Sequence, residues 1–333
     1  MQMSEKFKQI RARLRLPVLV APMLRISGPA LVAASCSNGV IGSFPTVNAR
    51  TPDQLDRWID EIKQAVSAAG AYDAPYCANI LARSDPDKLQ ADLKILIKHK
   101  VEIVLVSTGA PEKYVKPLQD IGCFVIADVA SIRHARKALQ QGVDGLALLT
   151  AGAGGQTGWA NGFAFVRAIR DFYDGPLLLA GGVSDGQALW AARTLGCDLG
   201  LMGTRFIGTQ ECDASDGYKA MLVDSSIDDV VLTRGISGID ANFLRPSIIA
   251  CGLDPQELAA PVSPERAREM FSSYADGMRG PKRWVDLWSA GHTVSGVKVV
   301  QSVAEVVDQL AVEYTRAQRA TRALLADADD PAI

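Results

Sequence analysis

The amino-acid sequence predicts an α/β fold in which eight parallel strands close into a barrel. Short β-branched runs alternate with longer helical patterns eight times before Met202, and the rhythm stops there. Such alternation is typical of parallel strands joined by crossover helices, and eight units close naturally into a TIM barrel. An open doubly wound sheet is the alternative, but the sequence G-x-G-x-x-G expected after its first strand is missing.

Each strand is predicted from a short apolar run bounded by polar or glycine-containing segments. The eight runs are residues 17–21, 40–43, 76–80, 103–107, 124–127, 145–149, 177–180 and 199–202. The clearest helices between them are predicted at residues 51–68, 85–99, 131–140 and 185–195. For the last of these helices, Ser184 is the expected N-cap and Gln187 completes a capping box.

After Met202 the sequence changes character. Residues 210–285 are irregular and rich in Asp, Ser and Pro, and we expect a mostly helical cap over one mouth of the barrel. The barrel domain would then comprise residues 1–209 and 286–333. A final amphipathic helix carries an apolar face, which would suit a homodimer. This face consists of Val299, Val300, Val303, Val306, Val307 and Leu310.

Composition restricts the partners and the compartment. Hydrophobic residues make up 48% of the 333 residues, and 35 basic against 37 acidic residues give a net charge of -2. This balance argues against nucleic acid or a membrane surface and favours a small-molecule substrate. The six cysteines are scattered without a C-x-x-C pair, so neither a disulfide scaffold nor a metal site is expected. The N-terminus lacks a signal-peptide core, which predicts a cytoplasmic protein.

Glycines follow the last two predicted strands. In a TIM barrel, functional groups gather at the C-terminal ends of the strands, and a ligand phosphate commonly lies after strands seven and eight. Backbone N–H groups of Gly181, Gly182, Gly203 and Thr204 would hold such a phosphate without a lysine. The alternative is that these glycines only permit tight turns.

A glycine-rich run, LTAGAGGQTGWANGF at residues 149–163, follows the sixth predicted strand and contains Gln156. Glycine lets the backbone approach a flat ligand closely, because a Cβ atom would collide with it. The alternative for this run is a flexible lid.

Several motifs together resemble the nitronate monooxygenase family, FMN-dependent TIM-barrel oxidoreductases once called 2-nitropropane dioxygenases. They are LVAPM after strand one, an Asn ending strand three, AGAGGQTG, LAGGVSDGQAL, LMGTRF and WSAG. The resemblance implies one FMN, with Gly181, Gly182, Gly203 and Thr204 at its phosphate. The resemblance and the predicted strand ends together give the other expected cofactor-binding residues, among which Asp128 departs from the family, whose members often carry a lysine or an uncharged residue there. These residues are Ala21, Pro22, Met23, Asn79, Asp128, Ala151, Gly152, Met202, Ser289, Ala290 and Gly291.

The chain departs from this family pattern at the expected catalytic position. Members with this motif commonly carry GGH, whereas the third residue here is Gln156. Glutamine cannot exchange a proton at ordinary pH, although it both donates and accepts hydrogen bonds. Asp128, if buried beside the flavin, is a candidate base, and His292 beside the WSAG motif is a further catalytic candidate.

These residues leave three functions open. The first is oxidation of an alkyl nitronate by O₂, since a nitronate is already an anion and needs no base. The second is an NAD(P)H-dependent reductase of a quinone or an activated alkene, similar to enoyl reductases. The third is a flavin-binding protein with little turnover. A protein that takes up no flavin would instead favour a barrel acting on a sugar phosphate.

Overall fold

The computed structural model describes residues 5–260, 262–271 and 281–328. Within them the strands number eleven, β1 to β11 in chain order. They are β1 (Val18–Val20), β2 (Ser43–Pro45), β3 (Cys77–Leu81), β4 (Ile103–Ser107), β5 (Phe124–Val129), β6 (Gly145–Leu149), β7 (Gly155–Gln156), β8 (Leu177–Ala180), β9 (Leu199–Met202), β10 (Val230–Thr233) and β11 (Ala241–Leu244).

Eight of these strands form the predicted TIM barrel. All pair in parallel, in the order β1-β9-β8-β6-β5-β4-β3-β2. The barrel closes between β1 and the residues just before β2. There the Val20 N–H donates to the Ile41 oxygen at 2.8 Å and the Ile41 N–H donates to the Val18 oxygen at 3.0 Å.

Helices alternate with the barrel strands as the sequence predicts. In the described ranges they are α1 (Glu5–Ala12), α2 (Pro29–Ser37), α3 (Pro52–Ala69), α4 (Pro86–Lys98), α5 (Glu112–Gln119), α6 (Ile132–Gln140), α7 (Gly162–Arg170), α8 (Gly186–Leu195), α9 (Thr204–Ile207), α10 (Asp216–Asp224), α11 (Arg245–Ala250), α12 (Pro264–Met270) and α13 (Val303–Ala328). Short 3₁₀ turns lie at Thr46–Asn48, Ile227–Asp229, Glu257–Ala259 and His292–Gly296.

The predicted strand positions agree closely with the structure. β4, β6, β8 and β9 have the predicted bounds, and β1, β3 and β5 differ by one or two residues at their ends. β2 is displaced, because the predicted run 40–43 contributes only a bridge at Ile41 before the strand begins at Ser43.

An apolar cluster fills the barrel interior and is closed at the N-terminal end by α1. Phe7 and Ile10 of α1 are buried, and the Phe7 ring stacks on Phe124 of β5 with centroids 5.2 Å apart. This cluster also contains inward-facing residues of other strands, such as Leu19 and Leu178. With the N-terminal end plugged, the opposite mouth is left for the functional groups.

Residues 210–285 contain the expected helices α10, α11 and α12, and also strands that the sequence did not predict. β10 and β11 form an antiparallel hairpin, and β11 pairs with β7 of the glycine-rich run. Ile236, Phe243 and Leu287 lie at the centre of a separate apolar cluster under this hairpin. The domain boundaries at 209/210 and 285/286 stay predictions.

The C-terminal helix differs from its expected role. It begins at Val303, so Val299 and Val300 precede it, and Val299 is 55% exposed. Val303, Val306, Val307 and Leu310 are buried in the main apolar cluster of the same chain, where α13 packs mainly on α8. This face is therefore covered within the chain and offers no support for the expected homodimer.

The N-cap of α8 is Asp185 and not the expected Ser184. Asp185 has extended backbone, and its Oδ1 accepts from the Ala188 N–H at 2.7 Å. The Ser184 hydroxyl donates instead to Asp185 Oδ2 at 3.2 Å. The helix starts one residue later than expected, so Gln187 falls out of register for the capping box.

We expect Asp185→Ala to lower the free energy of unfolding by about 1 kcal/mol, because it leaves a helix N–H without its acceptor. Ser184→Ala is the matched control and should cost much less. Urea unfolding of both variants tests the assignment. A larger loss in Ser184→Ala than in Asp185→Ala would contradict it.

Candidate active site

A cavity of about 220 Å³ lies at the C-terminal ends of the barrel strands, under the segment after β9. It is largely apolar, and none of the described residues that line it is a lysine or an arginine. Its lining includes twelve of the expected cofactor-binding residues. They are Ala21, Pro22, Met23, Asn79, Asp128, Gly152, Gly181, Gly182, Met202, Gly203, Thr204 and Ser289.

Glycines at the ends of β8 and β9 form the part of the cavity expected to hold a phosphate. Gly181 and Gly182 have φ values of 101° and 80°, which favour glycine, and no atom lies within 4 Å of a Cβ built on Gly182. A Cβ on Gly181 would lie 2.8 Å from the Ala153 nitrogen, so this glycine also permits a close backbone approach. Gly203 precedes the first turn of α9. The arrangement fits an anion held by backbone N–H groups.

Arg205 of the LMGTRF motif does not reach this region. It is buried, and its guanidinium donates to the Gly296 oxygen at 3.2 Å, to Gln301 Oε1 at 2.8 Å and to Gln309 Oε1 at 2.9 Å. Arg205 therefore ties α9 to the segment before α13 and to α13 itself.

A hydrogen-bonded chain of three side chains crosses the ends of β3, β4 and β5. Asn79 is buried, and its Nδ2 donates to the Leu105 oxygen and to Ser107 Oγ, both at 2.9 Å. The Ser107 hydroxyl in turn bonds the Asp128 carboxylate. The Asn79 amide is thus already hydrogen-bonded within the protein. Of the three hydrogen-bonded side chains, Asp128 is the one that titrates.

Asp128 is half-buried and lines the cavity. Burial raises the pKa of Asp128 to about 6, although hydrogen bonds from Ser107 and from the Thr108 N–H favour the ionised form. Thr108 has a φ of 60°, a left-handed conformation that a β-branched residue rarely adopts. The strain at Thr108 accompanies a backbone N–H aimed at the carboxylate.

Gln156 is half-buried in β7 and lines the cavity. It is opposite Ala241 of β11, and the neighbouring Thr157 N–H donates to the Asp240 oxygen at 3.1 Å. The amide therefore projects from a fixed strand, and its side chain has no hydrogen-bond partner among the described residues.

The rest of the glycine-rich run is also fixed, which argues against a flexible lid. The Ala151 N–H donates to the Ala160 oxygen at 2.8 Å, and Asn242 Nδ2 donates to the Ala153 oxygen at 2.7 Å. A Cβ on Gly158 would lie 2.0 Å from the Leu149 oxygen, so only glycine permits this return over the end of β6.

Four expected residues lie away from the cavity. Ala151 is exposed, and Ala290 and Gly291 are buried behind the lining, where the Gly291 N–H donates to Thr204 Oγ1 at 2.9 Å. His292 is exposed, and its ring packs against Gly152, so that a Cβ there would lie 2.6 Å from Nδ1. The geometry therefore gives no support to His292 as a catalytic residue.

The lining also contains three aromatic residues, and among them only Trp288 belongs to a motif noted in the sequence, WSAG. Tyr218 stacks on Trp288 with centroids 5.0 Å apart, its hydroxyl donates to the Ser289 oxygen, and burial raises its pKa. Trp284 stacks on Phe243, also at 5.0 Å. The irregular sequence between residues 210 and 285 carries no periodic signal that would identify Tyr218 and Trp284. Trp159, in the glycine-rich run, does not line the cavity and is 78% exposed.

Neither a metal cluster nor a membrane span is found in the described ranges. No group of three or more His, Cys, Asp or Glu side chains is placed there to hold a metal ion. None of the helices in those ranges is long and apolar enough to cross a membrane.

A closed parallel barrel with a glycine cradle beside an apolar cavity is typical of TIM-barrel enzymes that bind a phosphorylated ligand. The family model of nitronate monooxygenase matches residues 6–313. The chain belongs to this family, whose members are FMN-dependent oxidoreductases.

Individual relatives are more distant. A (3aS,4S,5R,7aS)-5-hydroxy-7a-methyl-1-oxo-octahydro-1H-indene-4-carboxyl-CoA dehydrogenase from Rhodococcus jostii is 27% identical over 70% of this chain, and the match spans 64% of the relative's length. A nitronate monooxygenase from Paraburkholderia phytofirmans is 27% identical over 72% of this chain and 76% of its own. The solved structure of FabK from Thermotoga maritima is 27% identical, covers 97% of this chain and 100% of its own, and has a TM-score of 0.79.

The raised pKa of Asp128 predicts a pH-dependent stability. A carboxyl with a raised folded-state pKa costs stability where it is ionised, and the cost disappears as the pH falls through about 6 toward its ordinary pKa of 3.8. We expect Asp128→Asn to increase the free energy of unfolding at pH 8 by about 2 kcal/mol, because the amide oxygen still accepts hydrogen bonds.

Urea unfolding at pH 8 and at pH 4.5 measures this effect. The advantage of Asp128→Asn should shrink at the lower pH, and the exposed Asp174→Asn should change neither value. An Asp128→Asn variant that is less stable than the wild type at pH 8 would contradict the assignment.

Proposed function

We propose that the protein is an FMN-dependent oxidoreductase that oxidises an alkyl nitronate, or a related carbanion, with O₂. The observation that carries the proposal is the placement of an ionisable carboxyl, Asp128, and a neutral amide, Gln156, on the same cavity, whose described lining contains no lysine or arginine. The family match and the similarity to a nitronate monooxygenase support it.

FMN fits the described cavity. Backbone N–H groups of Gly181, Gly182, Gly203 and Thr204 would hold its phosphate, and Ala21, Pro22 and Met23 would lie along its ring. Bound FMN would supply an acceptor for two electrons from the substrate, with O₂ as the final oxidant. The aromatic side chains after β9 would exclude bulk water from the cavity, because Trp284 and Trp288 belong to its lining.

Asp128 and Gln156 would have different roles, Asp128 as a proton acceptor and Gln156 as a hydrogen-bond donor. With a pKa of about 6, the Asp128 carboxyl is mostly ionised at neutral pH and can accept a proton from a neutral nitroalkane. Gln156 takes up no proton, but its N–H₂ group can donate to a nitronate oxygen. The carboxyl therefore offers a base at a cavity whose glutamine cannot be one.

A second candidate function is an oxidoreductase of an acyl thioester or an activated alkene that uses NAD(P)H or its oxidised form. The Rhodococcus relative is a dehydrogenase named for a coenzyme A thioester. A larger cavity of about 590 Å³ adjoins the first one and gives room for a second, extended ligand.

Anaerobic mixing separates the two candidates. The purified protein should be yellow and should release FMN on acid treatment. We expect propionate 3-nitronate to bleach the bound flavin without NADPH, because the substrate is already an anion. Bleaching by NADPH alone would favour the second candidate. Protein that stays colourless after incubation with FMN would contradict both.

We expect Gln156→Ala to keep its flavin, because the proposed phosphate contacts come from other strands, and to lose turnover by about tenfold for each 1.4 kcal/mol of lost hydrogen bonding. Gln156→His should add a dependence of rate on pH near the imidazole pKa. The measurement is the rate of flavin bleaching by nitronate across pH 5 to 9. If Gln156→Ala bleaches at the wild-type rate, Gln156 contributes only to packing and its proposed role is wrong.

A further inference from the structure

The larger second cavity, of about 590 Å³, lies directly beside the first. The two share three lining residues, Asp128, Leu149 and Gln156, so these side chains form the wall between them. On its other side the second cavity is bordered by one face of α6, at His134, Lys137 and Ala138. A molecule lying in it therefore has one end next to Asp128 and Gln156.

The second cavity is cationic, in contrast to the first. Arg83 and Lys137 line it from two different elements, both are exposed, and neither side chain forms a hydrogen bond or ion pair with any described residue. A third cation, Arg234, is already neutralised, because it pairs with Asp240 at 2.6 and 2.7 Å. The remaining acidic residue of the lining is Asp128, which stands at the wall to the first cavity.

An amide at the same cavity has an unmet hydrogen bond. The Gln141 Oε1 atom, just after α6, is buried and has no hydrogen-bond partner among the described residues. Gln141 lines this cavity together with Lys137. Because amide oxygen and nitrogen are interchangeable on rotation, the group can either donate to a ligand or accept from it. A buried amide atom without a partner is costly, and a bound polar ligand would remove that cost.

We propose that this second cavity binds the phosphate-bearing arm of a co-substrate whose reactive end enters the first cavity past Gln156. Arg83 and Lys137 would contact the phosphate, since guanidinium and ammonium groups are the usual phosphate partners in proteins. Gln141 would hydrogen-bond the polar arm. The proposal rests on the second candidate function and on the flavin site that both candidates share, because the first cavity must hold the flavin that the reactive end meets.

Two molecules share this chemistry, a nicotinamide dinucleotide and a coenzyme A thioester. Both join organic phosphate to a reactive group through an extended arm. Titration calorimetry of the flavin-loaded protein with NADPH and, separately, with coenzyme A distinguishes them. We expect one of the two to bind, and its affinity to fall as salt rises, because salt screens the contacts of exposed cations.

The variants compare the loss of positive charge inside the lining of the second cavity with the loss of a cation outside it. We expect Arg83→Ala/Lys137→Ala to weaken the bound ligand at least tenfold, or about 1.4 kcal/mol. Arg133→Ala removes a cation from the same helix, outside the cavity lining, and should leave the affinity within twofold of the wild type. Flavin content, measured in each preparation, reports separately on the first cavity.

The calorimetry and the flavin content test the phosphate site and the flavin site separately. If neither NADPH nor coenzyme A binds protein that holds its flavin, the phosphate site is wrong and the flavin assignment stands. If one of them binds but Arg83→Ala/Lys137→Ala binds it as tightly as the wild type, the cavity assignment is wrong. If the wild type takes up no FMN, the proposed function fails, whatever the calorimetry gives.

Discussion

The tight return of the chain over the end of β6 is the constraint on which the site depends. Gly158 lies so close to the Leu149 oxygen that no side chain fits, and the Thr157 hydroxyl donates to the Thr150 oxygen at 2.8 Å. The return brings the chain back to the end of β6 directly after residues 155 and 156, and so fixes the C-terminal side of β7. The glycines thus shape the backbone as well as clearing space for a ligand, and Gln156 stands between the two cavities as a result.

The polar chemistry of the mouth is divided between two unlike groups. Gln156 is neutral at every ordinary pH. Burial raises the pKa of Asp128, and two hydrogen-bond donors partly offset this rise. Ser107 is one of those donors, and Asn79 fixes Ser107 in turn. The carboxyl is therefore tuned by neighbours on two adjacent strands, while the amide is positioned by the backbone of a third segment.

Much of this arrangement could be predicted from the sequence, because barrel strands are local apolar runs. The bounds of β4, β6, β8 and β9 followed from those runs alone. The hairpin of β10 and β11 could not be predicted, since β11 pairs with a two-residue strand far away in the sequence. Placing Ser107 beside Asp128 likewise needs the pairing of β4 with β5. His292 directly follows the WSAG motif, but it begins a 3₁₀ turn in which its ring packs against Gly152 and does not line the cavity.

The pairing of β7 with β11 ties the position of Gln156 to that of the β10–β11 hairpin. Backbone atoms of Ala241 and Asn242 hold the strand that carries Gln156, and the Asn242 side chain holds the Ala153 oxygen. If the hairpin lifts to admit substrate or release product, it must either break these bonds or carry Gln156 away with it. Displacement of the hairpin and loss of the Gln156 contact to substrate would then be a single event, so a substrate that binds the amide would also favour the hairpin position seen here.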